Sequence, residues 1–271
     1  MPALYVVATP IGNLEDISLR ALRILGEVGL IAAEDTRKTR RLLARYDINT
    51  RMTSYHEHNK LDKLNYILDF LESEDVALVS EAGMPGLSDP GYELVTSAWE
   101  RGTRVIPIPG ASVVITALAV SGLPVDRFTY IGFLPRKAGL RKRLLESVED
   151  ELGSLIVFEA PHRLSGALKD VLAILGDRRI SVCRELTKLH EEVFRGTVNQ
   201  ALEYFTQPRG EFTLVIEGKR KVRETQLTED IQRRLNSMRQ SGFQAREAVA
   251  RLAEETGISR RELYRLWLKL V

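Results

Sequence analysis

Short apolar runs alternate with longer stretches of helical periodicity along most of the chain. The runs are rich in β-branched residues, have the length of strands, and read LYVVAT, GLIAAE, DVALVS, RVIPI, FTYIGF, SLIVFE, ISVCREL and FTLVIEG. Helix-like segments separate most of them. Strands that alternate with helices predict an α/β fold in which a mostly parallel sheet is covered on both faces.

The arrangement of these runs predicts two α/β domains with a cleft shared between them. One set of strands and helices is complete before the segment PGAS, Pro109 to Ser112, and a second set begins after it. We therefore expect an N-terminal α/β domain over 1–110 and a second α/β domain over 111–218. No repeat with a period of about 20 to 50 residues is present, so the sequence does not support a solenoid.

The pattern becomes purely helical after Gly218. The polar stretch KRKVRETQ precedes three amphipathic segments, TEDIQRRLNSMRQ, QAREAVARLAEET and SRRELYRLWLKL. Ser259 and Glu262 form a capping-box pattern that opens the last of these segments. The sequence thus predicts a small all-helical C-terminal unit over 219–271, either helix-turn-helix-like or a bundle packed on the body.

The composition excludes a disordered or fibrous protein. The 271 residues are 44% hydrophobic and 28% charged, which is enough for a substantial buried core. The first residues lack a basic segment before their short apolar run, and nowhere do about 18 uncharged apolar residues follow one another, so we expect neither export nor a membrane span. The single cysteine, Cys183, cannot form an intrachain disulfide. We expect it to be a buried, inert thiol in a cytoplasmic protein.

The net charge of +2 is unevenly distributed. From Lys219 onward the chain carries 13 Lys and Arg against 7 Asp and Glu, a net charge of +6, whereas the rest carries −4. A basic end of this kind indicates either contact with nucleic acid or a solvated helical surface.

The loop after the first predicted strand limits the kind of cofactor. In a nucleotide-binding α/β protein this loop, ATPIGNLED here, would hold the phosphates, but it contains a single glycine. Neither G-x-G-x-x-G nor G-x-x-x-x-G-K-[ST] is present, so the usual backbone cradle for phosphates is missing. A cofactor without phosphates fits better.

Two further loops have the composition of ligand-binding segments. SEAGMPGLSDPGY, Ser80 to Tyr92, follows a strand and packs three glycines and two prolines into a short length, which indicates either a ligand loop or a structural turn in which Asp89 caps the next helix. IPIPGASVVITALAVSGLP leads into a helix of small residues, which allows close approach of a ligand or close packing on a sheet.

Taken together, these segments resemble a known family. TPIGN, AEDTR, SEAGMPGLSDPGY, PGAS, SGLPVDRF, GFLPRK, EAPHR and RELTKLHEE occur in the order seen in the ribosomal RNA small subunit methyltransferase I family. The resemblance covers about Leu4 to Gly218. It implies two α/β domains of tetrapyrrole-methylase type with S-adenosylmethionine between them, a homodimer, and as acceptor the ribose 2'-hydroxyl of a decoding-centre cytidine in the 16S rRNA of the small ribosomal subunit.

The resemblance also implies a donor site. Its residues here are Pro10, Gly12, Gly83, Met84, Pro85, Ser88, Asp89, Gly110, Ser112, Ala117, Ser121 and Gly122. Met84 departs from the pattern, because the superfamily often has Asp there and this family usually Thr, so a side-chain hydrogen bond from that position is lost. PGAS likewise replaces the more usual PGPS.

Methyl transfer to a hydroxyl needs an aligned donor and acceptor in a dry cleft, and a group that takes the hydroxyl proton. Acids and bases lie at three predicted strand ends, in AEDTR, EAPHR and RELTKLHEE. Our hypothesis is that Glu159 or Glu34 orients or deprotonates the hydroxyl. Lys188 is a third candidate catalytic group, and it could instead hold a flanking phosphate. The alternative is that the acids and bases pair with one another and shape their loops.

Basic residues near the same strand ends are candidates for RNA contact, and basic side chains of this kind neutralise phosphates. They are Arg37, Arg136, Lys137, His162, Arg163 and Arg184.

The HEH segment, His56 to His58, has a spacing compatible with two metal ligands, with RNA contact or with a hydrogen-bonded loop. Because there is no further Cys or His cluster, we expect no metal.

Two other functions remain compatible with the sequence. One is a methyltransferase for a tetrapyrrole or another small molecule, which would not need the basic PRKAGLRKR stretch or the helical end. The other is a non-catalytic RNA-binding protein that acts in ribosome assembly.

Overall fold

A computed structural model describes residues 2–219, 222–256 and 258–268, with the backbone alone at 222–228 and 262. The chain divides into two compact units, Met1–Lys219 and Arg220–Val271. Over the described residues the first unit contains two five-stranded sheets covered by helices, so the α/β fold expected from the sequence is confirmed.

The first sheet is entirely parallel, with the strand order β3-β2-β4-β1-β5. Its strands are β1 (Ala3–Val7), β2 (Leu30–Ala33), β3 (Met52–Ser54), β4 (Val76–Val79) and β5 (Arg104–Ile108). Its helices are α1 (Leu19–Glu27), α2 (Thr36–Arg45), α3 (Lys60–Phe70) and α4 (Tyr92–Glu100). Every residue of β2 and β4 is buried, since both faces of the sheet are covered and the strands read as continuous apolar runs.

The second sheet is mixed, with the order β6-β7-β10-β8-β9. Its strands are β6 (Phe128–Phe133), β7 (Ser154–Glu159), β8 (Arg179–Arg184), β9 (Glu192–Thr197) and β10 (Phe212–Ile216), and its helices are α5 (Val113–Ser121), α6 (Ala138–Ser147), α7 (Leu164–Leu175) and α8 (Val198–Tyr204). Only β6 and β7 pair in parallel. The prediction of a mostly parallel sheet is therefore wrong for this half of the unit.

The reason for the antiparallel pairing is the connection between β8 and β9. Only residues 185–191 separate the two strands, and parallel neighbours need a crossover of a dozen or more residues. β9 is a half-exposed edge strand without a continuous apolar run, so the sequence pattern did not reveal it. β10 then inserts between β7 and β8 and runs opposite to both.

Each sheet has an apolar core on both faces. In the second sheet, α5 covers a face that includes Ile156, Cys183 and Val215, and α6, α7 and α8 cover the other. Cys183 is buried and unbridged, as expected, and burial raises the pKa of its thiol, which disfavours the reactive thiolate. In the described part of the chain no helix has both the length and the apolar character needed to cross a membrane.

The second unit is helical, as expected. It contains α9 (Val222–Gln240), α10 (Ala245–Thr256) and α11 (Arg260–Leu268) around a core that includes Leu235, Leu252 and Trp267. α11 begins directly after Ser259, where the capping-box pattern predicted a helix start. The side chain of Glu262, the other half of that pattern, lies outside the described residues.

Candidate functional site

The loops that follow β1 and β4 are joined by their backbones. Thr9 N donates to Gly83 O at 2.9 Å, and Gly83 N donates to Thr9 O at 3.0 Å. Gly83 has a φ of +79°, a left-handed conformation that favours glycine. The loop that holds the predicted donor residues Pro10 and Gly12 therefore meets the glycine-rich loop after β4 at the carboxyl edge of the first sheet, where α/β proteins bind ligands.

Three segments of the second sheet also converge. Phe212, the first residue of β10, pairs with Glu159 at the end of β7 and with Arg184 at the end of β8. Because β10 runs opposite to its neighbours, its start lies beside their ends. This placement brings residues 160–163, 185–191 and 209–211 together.

An apolar cleft of about 300 Å³ is lined by both groups of loops, a volume at the lower end of the range for small-molecule sites. We call it the apolar cleft, and its lining consists of Ile11, Ala82, Gly83, Met84, Leu87, Asp89, Ser112, Val113, Val114, Tyr130, Phe133, Phe158, Glu159, Ala160, Pro161, Cys183, Leu186, Glu211, Phe212 and Thr213. Three of these side chains are acids, and none of the described lining residues is basic.

The structure brings four of the predicted donor-site residues together in this cleft, namely Gly83, Met84, Asp89 and Ser112. Pro85 and Ser88 belong to the same loop without lining the cleft, and the Ser88 hydroxyl is hydrogen-bonded to the Tyr130 hydroxyl, which does line it.

Three other predicted donor residues, Pro10, Gly12 and Gly110, do not line the cleft. Pro10 and Gly12 line a neighbouring recess. Gly110 packs against Ala8, because a β-carbon on Gly110 would lie 3.0 Å from the β-carbon of Ala8.

The last three predicted donor residues lie away from the cleft, further along α5. Ala117 is fully buried in the core between α5 and the second sheet. The Ser121 hydroxyl donates to Leu118 O and accepts from Leu123 N, and Gly122 ends the helix with a φ of +71°. Only the start of α5 lines the cleft, and these residues serve the close packing that the sequence also allowed.

Glu159 is a buried acid of the apolar cleft, with 2% of its surface exposed. Its carboxylate accepts a hydrogen bond of 2.9 Å from Ala160 N and forms an ion pair of 3.1 Å with Arg163. Burial raises the pKa of Glu159, although the Ala160 hydrogen bond and the Arg163 charge act in the opposite direction.

Asp89 is the second acid of the cleft whose pKa is raised. Burial, together with the charges of Glu34 and Glu81, raises the pKa of Asp89 to about 7, against the effect of a hydrogen bond from Ser80. A carboxyl with a pKa near neutrality can exchange a proton at physiological pH. The sequence placed Asp89 in the donor site or at a helix cap; α4 instead begins at Tyr92 with Gly91 as its N-cap.

Glu34 and Lys188 stand outside the apolar cleft. Glu34 accepts a hydrogen bond of 2.9 Å from Glu81 N, so it acts on the cleft through its charge beside Asp89. Burial lowers the pKa of Lys188, but hydrogen bonds to Glu211 (2.8 Å) and Glu185 (3.1 Å) outweigh burial and raise it overall. Lys188 therefore carries a proton at neutral pH, which suits a phosphate ligand and not a base.

Two of the predicted RNA contacts are held by the protein itself. Arg163 is bound to Glu159 and to Leu134 O. Arg184 pairs with Glu192 at 3.1 Å and donates to Arg209 O at 2.8 Å. For Arg163 and Arg184 the structure therefore favours the alternative in which acids and bases pair with one another and shape their loops.

The other predicted RNA contacts are exposed. They are Arg37, Arg136, Lys137 and His162. The Arg37 side chain is 85% exposed and makes only a loose ion pair of 3.6 Å with Asp35. These four residues remain available to a ligand.

The HEH segment provides a pair of imidazoles, with the ring centroids of His56 and His58 6.1 Å apart. Within the described residues no group of three or more His, Cys, Asp or Glu is arranged to hold a metal ion. His56 N donates a hydrogen bond to Asn59, as in the loop interpretation of this segment.

The sequence did not single out several residues of the cleft. Glu211, Phe212 and Thr213 were missed because a parallel β10 would have started at the opposite edge of the sheet. The sequence shows Tyr130, Phe133 and Phe158 only as strand residues. In the structure the ring of Phe158 makes edge-to-face contacts with Tyr130 at 5.4 Å and with Phe133 at 5.5 Å. A signal that could have found Glu211 is the polar RGE segment directly before an apolar run.

Comparisons with known proteins agree with this architecture. A profile of the tetrapyrrole (corrin/porphyrin) methylases matches residues 3–202. The chain is 46% identical to ribosomal RNA small subunit methyltransferase I of Halalkalibacterium halodurans, over 97% of this chain and 94% of that protein. It is 47% identical to the protein of the same name from Synechocystis sp., over 100% and 99%, and 43% identical to that of Escherichia coli O157:H7, over 98% and 94%.

Solved structures are similar at the level of the fold. A diphthine synthase superposes with a TM-score of 0.64 at 15% identity, over 79% of this chain and 90% of that chain. A uroporphyrin-III-C-methyltransferase from Thermus thermophilus superposes with a TM-score of 0.54 at 18% identity, over 84% and 99%.

Proposed function

Since this chain belongs to the ribosomal RNA small subunit methyltransferase I family of tetrapyrrole methylases, we propose that it is an S-adenosylmethionine-dependent enzyme that methylates small-subunit ribosomal RNA. In the finer form of this proposal, the acceptor is the ribose 2'-hydroxyl of a decoding-centre cytidine in 16S rRNA.

The character of the apolar cleft carries the proposal. Its aromatic and aliphatic walls suit an adenosine, and its acids complement a positively charged sulfonium. A donor with a polyphosphate would meet Asp89, Glu159 and Glu211 without a basic side chain among the described lining residues. The chemistry of this site therefore fits S-adenosylmethionine better than a nucleotide.

S-Adenosylmethionine, when bound, supplies a methyl group on a cationic sulfur. The protein then has to hold the acceptor oxygen in line, exclude water and accept the hydroxyl proton. Met84, Leu87 and Phe133 line the cleft with apolar groups, which favour the exclusion of water once a bound donor covers them. The backbone of the Thr9–Gly83 pair fixes the two donor loops relative to each other.

Asp89 is the acid best suited to accept the hydroxyl proton. Its pKa of about 7 leaves about half of it deprotonated at neutral pH and most of it deprotonated at slightly alkaline pH, and no arginine holds its carboxylate among the described contacts. Glu159 is tied to Arg163 and to Ala160 N, which suits a residue that orients the acceptor. Glu34, in turn, supports the raised pKa of Asp89 from outside the cleft.

The experiment uses the purified full chain, S-adenosylmethionine, and small ribosomal subunits from a strain that lacks the corresponding modification. Mass spectrometry of ribonuclease fragments should find one added methyl group on the ribose of one cytidine. A precorrin-type acceptor is assayed in parallel, and methyl transfer to it instead would support the small-molecule alternative. Calorimetry without any donor binding would support the non-catalytic alternative.

Two further parts of the proposal depend on family membership alone. A ribosomal acceptor implies that the protein works in the cytoplasm, and the family resemblance implies a homodimer. Light scattering coupled to size-exclusion chromatography measures the mass in solution, and a single 30.6 kDa species would contradict the dimer.

A further inference from the structure

A second recess opens beside the apolar cleft. It encloses about 350 Å³ and is formed by the loop after β1, one face of α2, the start of the loop after β4, and the two residues Lys188 and Glu211. Ile11, Ala82 and Glu211 belong to the walls of both cavities. A molecule in this recess therefore lies next to a molecule in the apolar cleft.

The charges of the two cavities differ. Three cationic side chains, Lys38, Arg41 and Lys188, line the recess together with the acids Glu81 and Glu211. Lys38 and Arg41 are three residues apart on α2, so they project from the same side of the helix. We call this cavity the basic recess, because cations outnumber acids in it whereas acids alone carry charge in the apolar cleft.

The three cations differ in how they are held. Lys38 is paired with Glu81, and Lys188 bridges Glu185 and Glu211. The exposed guanidinium of Arg41 has no hydrogen-bond or ion-pair partner among the described residues. A planar, unpaired guanidinium at the wall of a cavity is suited to bind a phosphate with two parallel hydrogen bonds.

The loop that carries Lys188 is fixed against the loop after β1. Asn13 N donates a hydrogen bond of 3.1 Å to the Thr187 hydroxyl. Glu185 and Thr187 have φ values of 49° and 67°, in the left-handed region that residues other than glycine adopt rarely. Backbone of this kind persists where the surrounding structure enforces it, often at functional sites.

We propose that the basic recess binds the phosphodiester backbone beside the acceptor ribose. Arg41 contacts a phosphate directly, and Lys38 and Lys188 add positive charge as they exchange their carboxylate partners for phosphate oxygens. The inference rests on the proposed RNA methyl transfer, and it names the part of the protein that holds the acceptor. It assigns the phosphate contacts to cations of the basic recess and not to Arg163 and Arg184, whose side chains the protein itself already holds.

The same cations could bind a carboxylate, and S-adenosylmethionine carries one. RNA phosphate and the donor carboxylate can be distinguished by which binding affinity falls when a cation of the recess is removed. If the recess holds RNA phosphate, loss of Arg41 weakens RNA binding and leaves the donor affinity unchanged. If it holds the carboxylate of the donor, the donor affinity falls instead.

The test compares Arg41→Gln with Arg40→Gln, its neighbour on α2. Both variants lose one exposed positive charge from the same helix, but Arg40 does not line the recess. Filter binding to small subunits measures the RNA affinity at several salt concentrations, and calorimetry measures the affinity for S-adenosylmethionine. Because binding is measured apart from methyl transfer, failure of the proposed reaction would not obscure the result.

We expect Arg41→Gln to weaken binding to small subunits by about threefold to tenfold and to lower the salt dependence by about one phosphate contact. Arg40→Gln should bind as the wild type does. Glu81→Gln should bind RNA more tightly, since it removes the acid that competes for Lys38. Equal affinities and salt slopes for the two arginine variants, or a loss of donor affinity in Arg41→Gln, would overturn the proposal.

Discussion

Gly12 and Lys188 are packed so closely that a β-carbon on Gly12 would lie 2.5 Å from Cγ of Lys188. The same β-carbon would lie 2.7 Å from the Thr187 hydroxyl and 3.0 Å from Leu186 O. The contact joins the loop after β1 in the first sheet to the loop after β8 in the second. This contact fixes the loop after β1 against the loop after β8 at the wall of the basic recess.

Gly12→Ala is therefore expected to displace the Leu186–Lys188 segment. Overpacking of this kind costs about 1–3 kcal/mol in stability. Methyl transfer should fall by more than about tenfold, because small displacements next to the reacting groups are costly. Gly26→Ala in α1 is the control, since nothing lies within 4 Å of its new β-carbon. Equal melting temperatures and rates in both variants would contradict the close packing.

Asp89 predicts a pH dependence of the reaction. Its pKa of about 7 means that the fraction able to accept a proton rises as the pH passes through neutrality. The rate should rise over the same range, and Asp89→Asn should remove this rise and lower the rate by about 10²-fold or more. Asp126→Asn, at an exposed site, serves as the control. A variant at position 89 with the wild-type pH profile would exclude proton transfer by Asp89.

The same acid predicts a pH-dependent stability. The folded-state pKa of about 7 lies above the ordinary value of 3.8, so the folded protein holds this proton more tightly than the unfolded chain does. The stability present below pH 3.8 is therefore lost as the pH rises through 7. We expect Asp89→Asn to match the wild type in melting temperature near pH 4 and to exceed it near pH 8. The opposite ranking would show that Asp89 is stabilised as a carboxylate.

The pair of Glu159 and Arg163 offers a comparison between a buried and an exposed ion pair of the same spacing. Arg163→Met leaves the fully buried Glu159 carboxylate without its cation, which should cost about 3 kcal/mol or more. Because burial already raises the pKa of Glu159, the loss should be larger at alkaline than at acidic pH. Arg23→Met breaks the exposed pair with Glu27 and should cost under about 1 kcal/mol. Denaturant titrations at two pH values measure both.

Two serines at the ends of α5, the N-cap Ser112 and the last residue Ser121, separate donor binding from packing. Ser112 lines the apolar cleft, whereas Ser121 is buried in hydrogen bonds near the end of the helix. Ser112→Ala should weaken donor binding by about threefold to tenfold, which corresponds to one hydrogen bond, with little change in melting temperature. Ser121→Ala should lower the melting temperature and leave the donor affinity unchanged. Calorimetry that gives the two variants the same donor affinity would remove Ser112 from the site.

Much of the fold could be predicted from the sequence because continuous apolar runs indicate buried strands. β2 and β4 are buried throughout, and their LIAA and VALV segments read clearly as strands. β9 was missed because an edge strand keeps only part of its surface in the core and so needs no continuous apolar run. The direction of β10 was missed because periodicity identifies a strand without identifying its neighbours.

The candidate site could be predicted where it depends on local backbone and not where it depends on strand order. Gly83 and Asp89 lie in a loop whose glycines and prolines mark it in the sequence. Glu211 and Thr213 reach the same cleft only because β10 is antiparallel to β7. Ser121 and Gly122 share the small-residue pattern of α5, but a helix of nine residues carries them about 12 Å beyond the turn that lines the cleft.

The central position of β10 also bears on how the protein is made. It is the last strand of its sheet to be translated, yet it lies between β7 and β8, which have no ladder between them until it arrives. A nascent chain that has not yet released β10 from the ribosome has two unpaired strand edges and an incomplete cleft wall. The apolar cleft can thus be completed only late in synthesis of the chain, when nearly all of the first unit has emerged.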